Sequence, residues 1–175
     1  SARFEQETQS VVLAGSGDRE TSRGKVLLAK PGRMRWAYDE PDPSLVISDG
    51  ETMWIHDVGA SQVTRMPMGE GYLAGAGLDF LFGEGRIEQS FRAYTSACGT
   101  GETRVELLPR EDATYERLSL TIRSEDGLVT ETSITDLFGN RTTIRFSDIQ
   151  LNQAPAGAVF RFEKPQGVEV IDLST

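Results

Sequence analysis

His56 is the chain's only histidine and Cys98 its only cysteine. Neither has a second imidazole or thiolate to join, so no Cys/His metal site can be built. Asp57 follows His56, but neighbours on a strand point to opposite faces, which leaves His56 as a strand-surface residue and not half of a His–Asp couple. Cys98 sits in the glycine-rich turn Ala97-Cys98-Gly99-Thr100-Gly101. A thiol nucleophile needs a base beside it, and none is at hand, so Cys98 reads as a bystander. The carboxylates are scattered: Asp39, Glu40 and Asp42 surround prolines, and Asp49 and Asp126 precede turn glycines. Nothing selects a pair of them for acid–base work. Gly75-Ala76-Gly77 and Gly83-Glu84-Gly85 are fragments of phosphate-loop patterns without the required lysine or third glycine. These residues point to no enzyme, cofactor or metal.

The whole-chain numbers narrow the class further. A length of 175 residues suits one domain, residues 1–175. Acidic residues outnumber basic ones 27 to 18, for a formal charge of −9, and no basic cluster offsets them. Such a chain is a poor partner for nucleic acid or anionic lipid headgroups. No apolar run approaches the ~20 residues of a membrane-spanning helix. A single cysteine rules out an internal disulfide. The start at Ser1-Ala2-Arg3-Phe4, with no initiator methionine, reads as a processed or trimmed terminus.

The elements that must position any site are strands. Met34, Trp36 and Tyr38 alternate with Arg33, Arg35 and Ala37, so one strand carries three large side chains on one face. Pro41 and Pro43 end it. Asp49-Gly50 then separates Leu45-Val46-Ile47 from Thr52-Met53-Trp54-Ile55-His56, a strong hairpin signal. Before it, Phe4 to Leu13 and Arg23 to Lys30 read as strands, with a turn over Ala14 to Asp18 and another at Pro31-Gly32. After it come Ser61 to Met66, Phe91 to Ala97, Thr103 to Leu108, a strand alternating through Leu118, Leu120 and Ile122, and Leu128 to Thr135. A strand through Ile144 and Phe146, then Val159 to Phe162 and Val168 to Leu173, complete the series. Turns about every 8–12 residues predict an all-β sandwich or barrel of about eleven or twelve antiparallel strands.

One stretch breaks the pattern. Met66 to Gly85 (MPMGEGYLAGAGLDFLFGEG) is apolar and glycine-rich without alternation, and predicts a flap with a short helical turn at Leu78 to Phe82. Its glycines disfavour a longer helix, each by about 1 kcal/mol against alanine. Eight strands close a barrel that side chains just fill; eleven enclose more space than they can fill. Such a sheet splits into a sandwich, takes a plug or holds a ligand.

Lys30-Pro31-Gly32-Arg33-Met34-Arg35-Trp36-Ala37-Tyr38, then Pro41, then Val46-Ile47-Ser48-Asp49-Gly50-Glu51-Thr52-Met53-Trp54 resembles the outer-membrane lipoprotein carrier family, LolA. Gln62-Val63, the opening Phe4-x-Gln6, and the closing Phe160-Arg161-Phe162 with Pro165-Gln166-Gly167-Val168 follow in the family's order, so the resemblance spans nearly the whole chain. It implies an unclosed antiparallel half-barrel of about eleven strands with a short helical lid over its mouth. The function implied is a periplasmic chaperone that holds the acyl chains of lipoproteins. It would take them from an inner-membrane ABC-type release complex to an outer-membrane lipoprotein acceptor, as a monomer, with no nucleic acid and no cofactor.

On that resemblance, Met34, Trp36, Tyr38, Leu45, Ile47 and Trp54 are the expected cavity wall, and Leu73, Leu78, Phe80, Leu81 and Phe82 the expected lid. Lys30 matches the family's basic residue before the proline, associated with lid closure and transfer; arginine is commoner there. The family has a helix ahead of the Phe-x-Gln strand, and this sequence opens at that strand, so that part of the family's lid is expected to be missing from view, whether trimmed or absent. Two relatives of the fold are rival expectations: a LolB-like acceptor, which is itself anchored through an N-terminal cysteine, and a lipid-binding or sensor module on the same half-barrel.

Overall fold

The computed structural model describes residues 1–11, 19–68 and 87–174. Among these residues twelve strands form one sheet in the order β12-β6-β5-β4-β3-β2-β1-β11-β10-β9-β8-β7, with β12 and β7 at its two ends. The strands are β1 (Ala2–Gln9), β2 (Arg19–Ala29), β3 (Arg33–Glu40), β4 (Ser44–Asp49), β5 (Thr52–Asp57), β6 (Gln62–Pro67), β7 (Phe91–Ala97), β8 (Glu102–Pro109), β9 (Tyr115–Arg123), β10 (Val129–Asp136), β11 (Arg141–Ser147) and β12 (Glu169–Asp172). A helical turn, α1 (Ile87–Ser90), precedes β7. No helix among the described residues is long and apolar enough to cross a membrane. The expected mainly-β, unclosed sheet is what the chain forms, with twelve strands.

Two expectations are corrected. Val159 to Phe162 alternates like a strand, yet Gly157–Phe160 is a 3-10 turn. Its backbone donors find partners three residues back, Val159 N–H on Ala156 O at 3.0 Å and Arg161 N–H on Ala158 O at 3.1 Å, so no ladder is needed. The sheet is also not antiparallel throughout, because β12 runs parallel to β6, with Val170 opposite Val63.

The chain forms two compact units. The described residues of one fall in Ser1–Arg3, Ser22–Gly85 and Asp148–Thr175. It is built on the meander β3-β4-β5-β6, whose tight connections the sequence dictates. Gly50 (φ +107°) turns β4 into β5, while Asp49 Oδ1 accepts from the N–H groups of Glu51 and Thr52, both at 2.9 Å. Gly32 (φ +56°) turns β2 into β3, a backbone conformation that side chains disfavour. The two turns touch: a Cβ on Gly32 would lie 3.1 Å from Gly50 Cα. Ser48, wholly buried, joins them, its hydroxyl donating to Gly32 O at 2.9 Å and accepting from Gly50 N–H at 3.1 Å.

The second unit takes Phe4–Thr21 and Arg86–Ser147 among the described residues. Leu107 lies opposite Leu118 and Val105 opposite Leu120, which puts a leucine-rich face together; Phe91, Leu107, Leu118 and Leu120 are all buried. The alternate positions carry opposite charges. Arg145 meets Glu131 at 2.9 Å and Glu7 at 3.7 Å, and Arg19 meets Glu7 at 2.9 Å. Pairs this exposed contribute little stability each but keep the face wet.

Candidate functional site

The hairpin registers sort the side chains of the first unit onto two faces. Val26 lies opposite Trp36, Trp36 opposite Val46, and Val46 opposite Ile55. Leu28, Met34, Ser48, Met53 and Met66 form a second rung across the same strands. Directly opposed residues share a face, so one side of β2–β6 presents Val26, Met34, Trp36, Val46, Met53, Ile55 and Met66. Val26, Met34 and Met53 are 3% exposed or less, and Trp36 and Met66 are 8% exposed, so these residues are shielded from water. Tyr38 extends the row, opposite Gly24 and Ser44. Burial raises the pKa of its phenol, and a hydrogen bond from the Trp36 indole offsets part of that rise. Along these two rungs no side chain carries a charge.

The other face is different in kind. Arg35 lies opposite Ile47, Ile47 opposite Trp54, and Trp54 opposite Arg65; Leu45 lies opposite His56. The C-terminal segment packs onto it. The Arg33 guanidinium stands 5.4 Å over the Phe160 ring, and Arg35 donates to Val159 O at 3.4 Å. Phe162 stacks on Trp54 with centroids 6.1 Å apart and meets His56 edge-on at 6.0 Å. Phe160, Ile47 and Val63 are buried in this layer.

The six expected wall residues are thus divided. Met34, Trp36 and Tyr38 come together on the uncharged face; Leu45, Ile47 and Trp54 lie on the face that the C-terminal segment covers. The division follows from register parity: Trp36 is opposite Val46, so the residues flanking Val46 point the other way. Val26, Val46, Ile55 and Met66 join the uncharged face without having been singled out in the sequence; the parity of the Asp49-Gly50 hairpin was the signal for Val46 and Ile55. Lys30 is exposed at the β2–β3 turn, where its carbonyl accepts from Arg33 Nη2 at 2.9 Å. Leu73, Leu78, Phe80, Leu81 and Phe82 lie outside the described residues. The backbone that leads to them is tied at Met68, whose N–H donates to Glu51 O at 2.8 Å.

His56 is engaged by Phe162 and faces away from the Met34 row, and Cys98 sits at the end of β7, far along the chain in the other unit. A depression of about 310 Å³ beside Cys98 is lined by Glu102, Arg104, Glu131 and Arg145, a charged surround unsuited to a hydrocarbon chain. What the described residues of the first unit offer chemically is a broad apolar, polarizable surface, whose one hydroxyl between the methionines, Ser48, is bonded to the backbone of Gly32 and Gly50.

Comparison with known proteins agrees with this geometry. The family model described as "Outer membrane lipoprotein carrier protein LolA" matches residues 1–163. An outer-membrane lipoprotein carrier protein of Chromobacterium violaceum is 33% identical over 160 residues, covering 91% of this chain and 76% of the relative. One from Pseudomonas aeruginosa is 35% identical over 172 residues, covering 97% and 79%. Among solved structures, an uncharacterized conserved protein from Thermus thermophilus shares the fold with a TM-score of 0.51 at 12% identity, over 98% of this chain and 91% of that one. A family match across nearly all the strands, with two relatives above 30% identity, shows that this chain belongs to the outer-membrane lipoprotein carrier family, LolA.

Proposed function

We infer that this protein is a periplasmic carrier that holds the acyl chains of lipoproteins against the Val26–Met34–Trp36–Met53–Met66 face and conveys them toward the outer membrane. The observation that carries the reading is the absence of charge along those rungs in a chain of net charge −9. A hydrocarbon chain needs that. At ~0.8 kcal/mol per buried CH₂, a long acyl chain in water costs on the order of 10 kcal/mol, and several chains make unassisted transfer negligible. Aromatic and methionine side chains supply large contact area and adapt to flexible chains.

Loading would come from an inner-membrane ABC-type release complex and delivery would go to an outer-membrane acceptor. Lys30 stands as the candidate transfer residue on its turn, and residues 1–175 act as one carrier domain. The family match and the relatives' names support this reading. Purification from the native periplasm followed by gentle intact-mass measurement tests it. Co-purifying acylated polypeptides are expected; free phospholipid alone would refute lipoprotein carriage.

A further inference from the structure

Three rungs cross β2–β6 on the face that Trp36 shares, and their chemistry changes in step along the strands. The first holds Leu28, Met34, Ser48, Met53 and Met66. All but Leu28 are buried, and the one hydroxyl among them donates to Gly32 O at 2.9 Å. The second holds Val26, Trp36, Val46, Ile55 and Thr64, buried at Val26 and Trp36 and half-buried at the rest. The third holds Gly24, Tyr38, Ser44, Asp57 and Gln62: a phenol, a hydroxyl, a carboxylate and an amide beside a glycine. Tyr38, Ser44 and Gln62 are half-buried, and Asp57 is exposed, its Oδ1 accepting from Ala60 N–H at 2.9 Å. From Met34 to Tyr38 the strand advances ~13 Å. Over that distance the face passes from thioethers out of reach of water to hydrogen-bonding groups in contact with it.

An acyl chain is graded in the same way. Its methyl end makes no hydrogen bond, whereas an ester or amide carbonyl taken from water without a donor costs about 1–3 kcal/mol. At the methionine rung that carbonyl would be stranded, because the Ser48 hydroxyl is already given to Gly32 O. At the third rung it would meet two hydroxyl-bearing side chains, each able to donate. Tyr38 and Ser44 are directly opposed, with Cβ atoms ~5 Å apart, so one carbonyl can lie between them. We propose that a bound acyl chain lies along β3 and β4 with its methyl end at the Met34–Met53–Met66 rung and its carbonyl at Tyr38 and Ser44, which makes Tyr38 the residue that selects acyl esters and amides over plain hydrocarbon. The proposal rests on the carrier reading above and gives it a direction. The polar remainder of the cargo leaves the face past Asp57, at the end of the strands away from the Gly32 and Gly50 turns.

NMR of the full chain tests this, with methionine methyls and tyrosine rings isotopically labelled. The signals are assigned with the single variants Met34→Leu, Met53→Leu, Met66→Leu and Tyr38→Phe. Two diacylated lipopeptides are bound in turn, one carrying a nitroxide near the methyl end of an acyl chain and the other near its carbonyl. The methyl-end nitroxide is expected to broaden the three methionine methyls more than the Tyr38 ring, and the carbonyl-end nitroxide to reverse that order. The opposite result, or the same order from both probes, overturns the proposal while leaving the carrier reading in place. No change at any of these residues with either lipopeptide overturns the carrier reading and the proposal with it. Tyr38→Phe, which keeps the ring, should weaken binding of an ester-linked lipopeptide about two- to tenfold and leave its ether-linked analogue unaffected. An equal loss for both would make Tyr38 a packing residue and overturn its selective role.

Discussion

Trp36 and Trp54 are the only tryptophans, and the registers place them on opposite faces of the same strands. This makes the choice of acyl-binding face measurable. In Trp54→Phe the fluorescence reports Trp36 alone, and in Trp36→Phe it reports Trp54 alone. A lipopeptide with brominated acyl chains quenches an indole only near contact, and side chains on opposite faces of a sheet stand roughly 10 Å apart. Quenching of Trp36, with Trp54 unaffected beneath Phe162, is expected. The affinity change follows from area. A tryptophan offers ~150–250 Å², of which an acyl chain lying along the row touches about a third. At ~25 cal/mol per Å² that is about 1.3–2 kcal/mol, so Trp36→Ala should weaken lipopeptide binding about nine- to thirtyfold. Trp54→Ala should leave it within about twofold of wild type. Quenching of Trp54 with Trp36 silent would refute the reasoning, because it would make the covered face the binding face.

Ser48→Ala strips the bond to Gly32 O and the partner of Gly50 N–H at a site with no access to water. A loss of about 1–3 kcal/mol is expected, read as a lowered denaturant midpoint at unchanged slope. Leu107→Ala, in the core of the other unit, should cost about 2–5 kcal/mol by chemical denaturation while lipopeptide affinity measured on the folded protein stays the same. Asp172 is held at a pKa of about 2 by hydrogen bonds from Ser174 and from Arg65, whose guanidinium lies 2.8 Å away. Its folded pKa lies below the ordinary carboxylate value, so its contribution is present above that ordinary value and lost as pH falls toward 2. Carboxyl NMR should show Asp172 titrating near 2, and Arg65→Ala should move that titration upward.

The strands were legible because alternation is a local property. Met34-Trp36-Tyr38 and Asp49-Gly50 need only their own neighbours to declare a strand and a turn, and the structure places both as read. The membership of the site was not local. Whether Ile47 shares a face with Met34 or opposes it depends on one residue of register between strands, and Met34 proves to sit opposite Ser48. Ser48 itself, short and polar, gave no hint in sequence that it fastens two turns, since its partner Gly32 lies 16 residues away. Val159 to Phe162 misled for the same reason: four alternating residues suit a strand or a packed turn equally, and only the ring of Phe162 against Trp54 decides.

The two faces differ in how firmly they are built, and a carrier needs that difference. On the covered face the contacts are directional: a guanidinium over a ring, a stacked ring pair, and an arginine on a backbone carbonyl. Each loses its value if the partners shift, so this layer fixes the curvature and register of β3–β5. The opposite face holds Met34, Met53 and Met66, three of the chain's four methionines, where directional contacts would be a handicap. Methionine has three rotatable side-chain bonds and a polarizable sulfur, so it follows a chain of changing shape at little cost. An apolar surface of this kind would shield hydrocarbon from water without locking onto one geometry, and so would let a bound chain leave at little cost. Replacing the three methionines by isoleucine would keep the apolar area and remove the adaptability. The variant should still bind lipopeptide, but the spread of affinities across acyl chains of different length should widen, as read by competition with a single labelled lipopeptide.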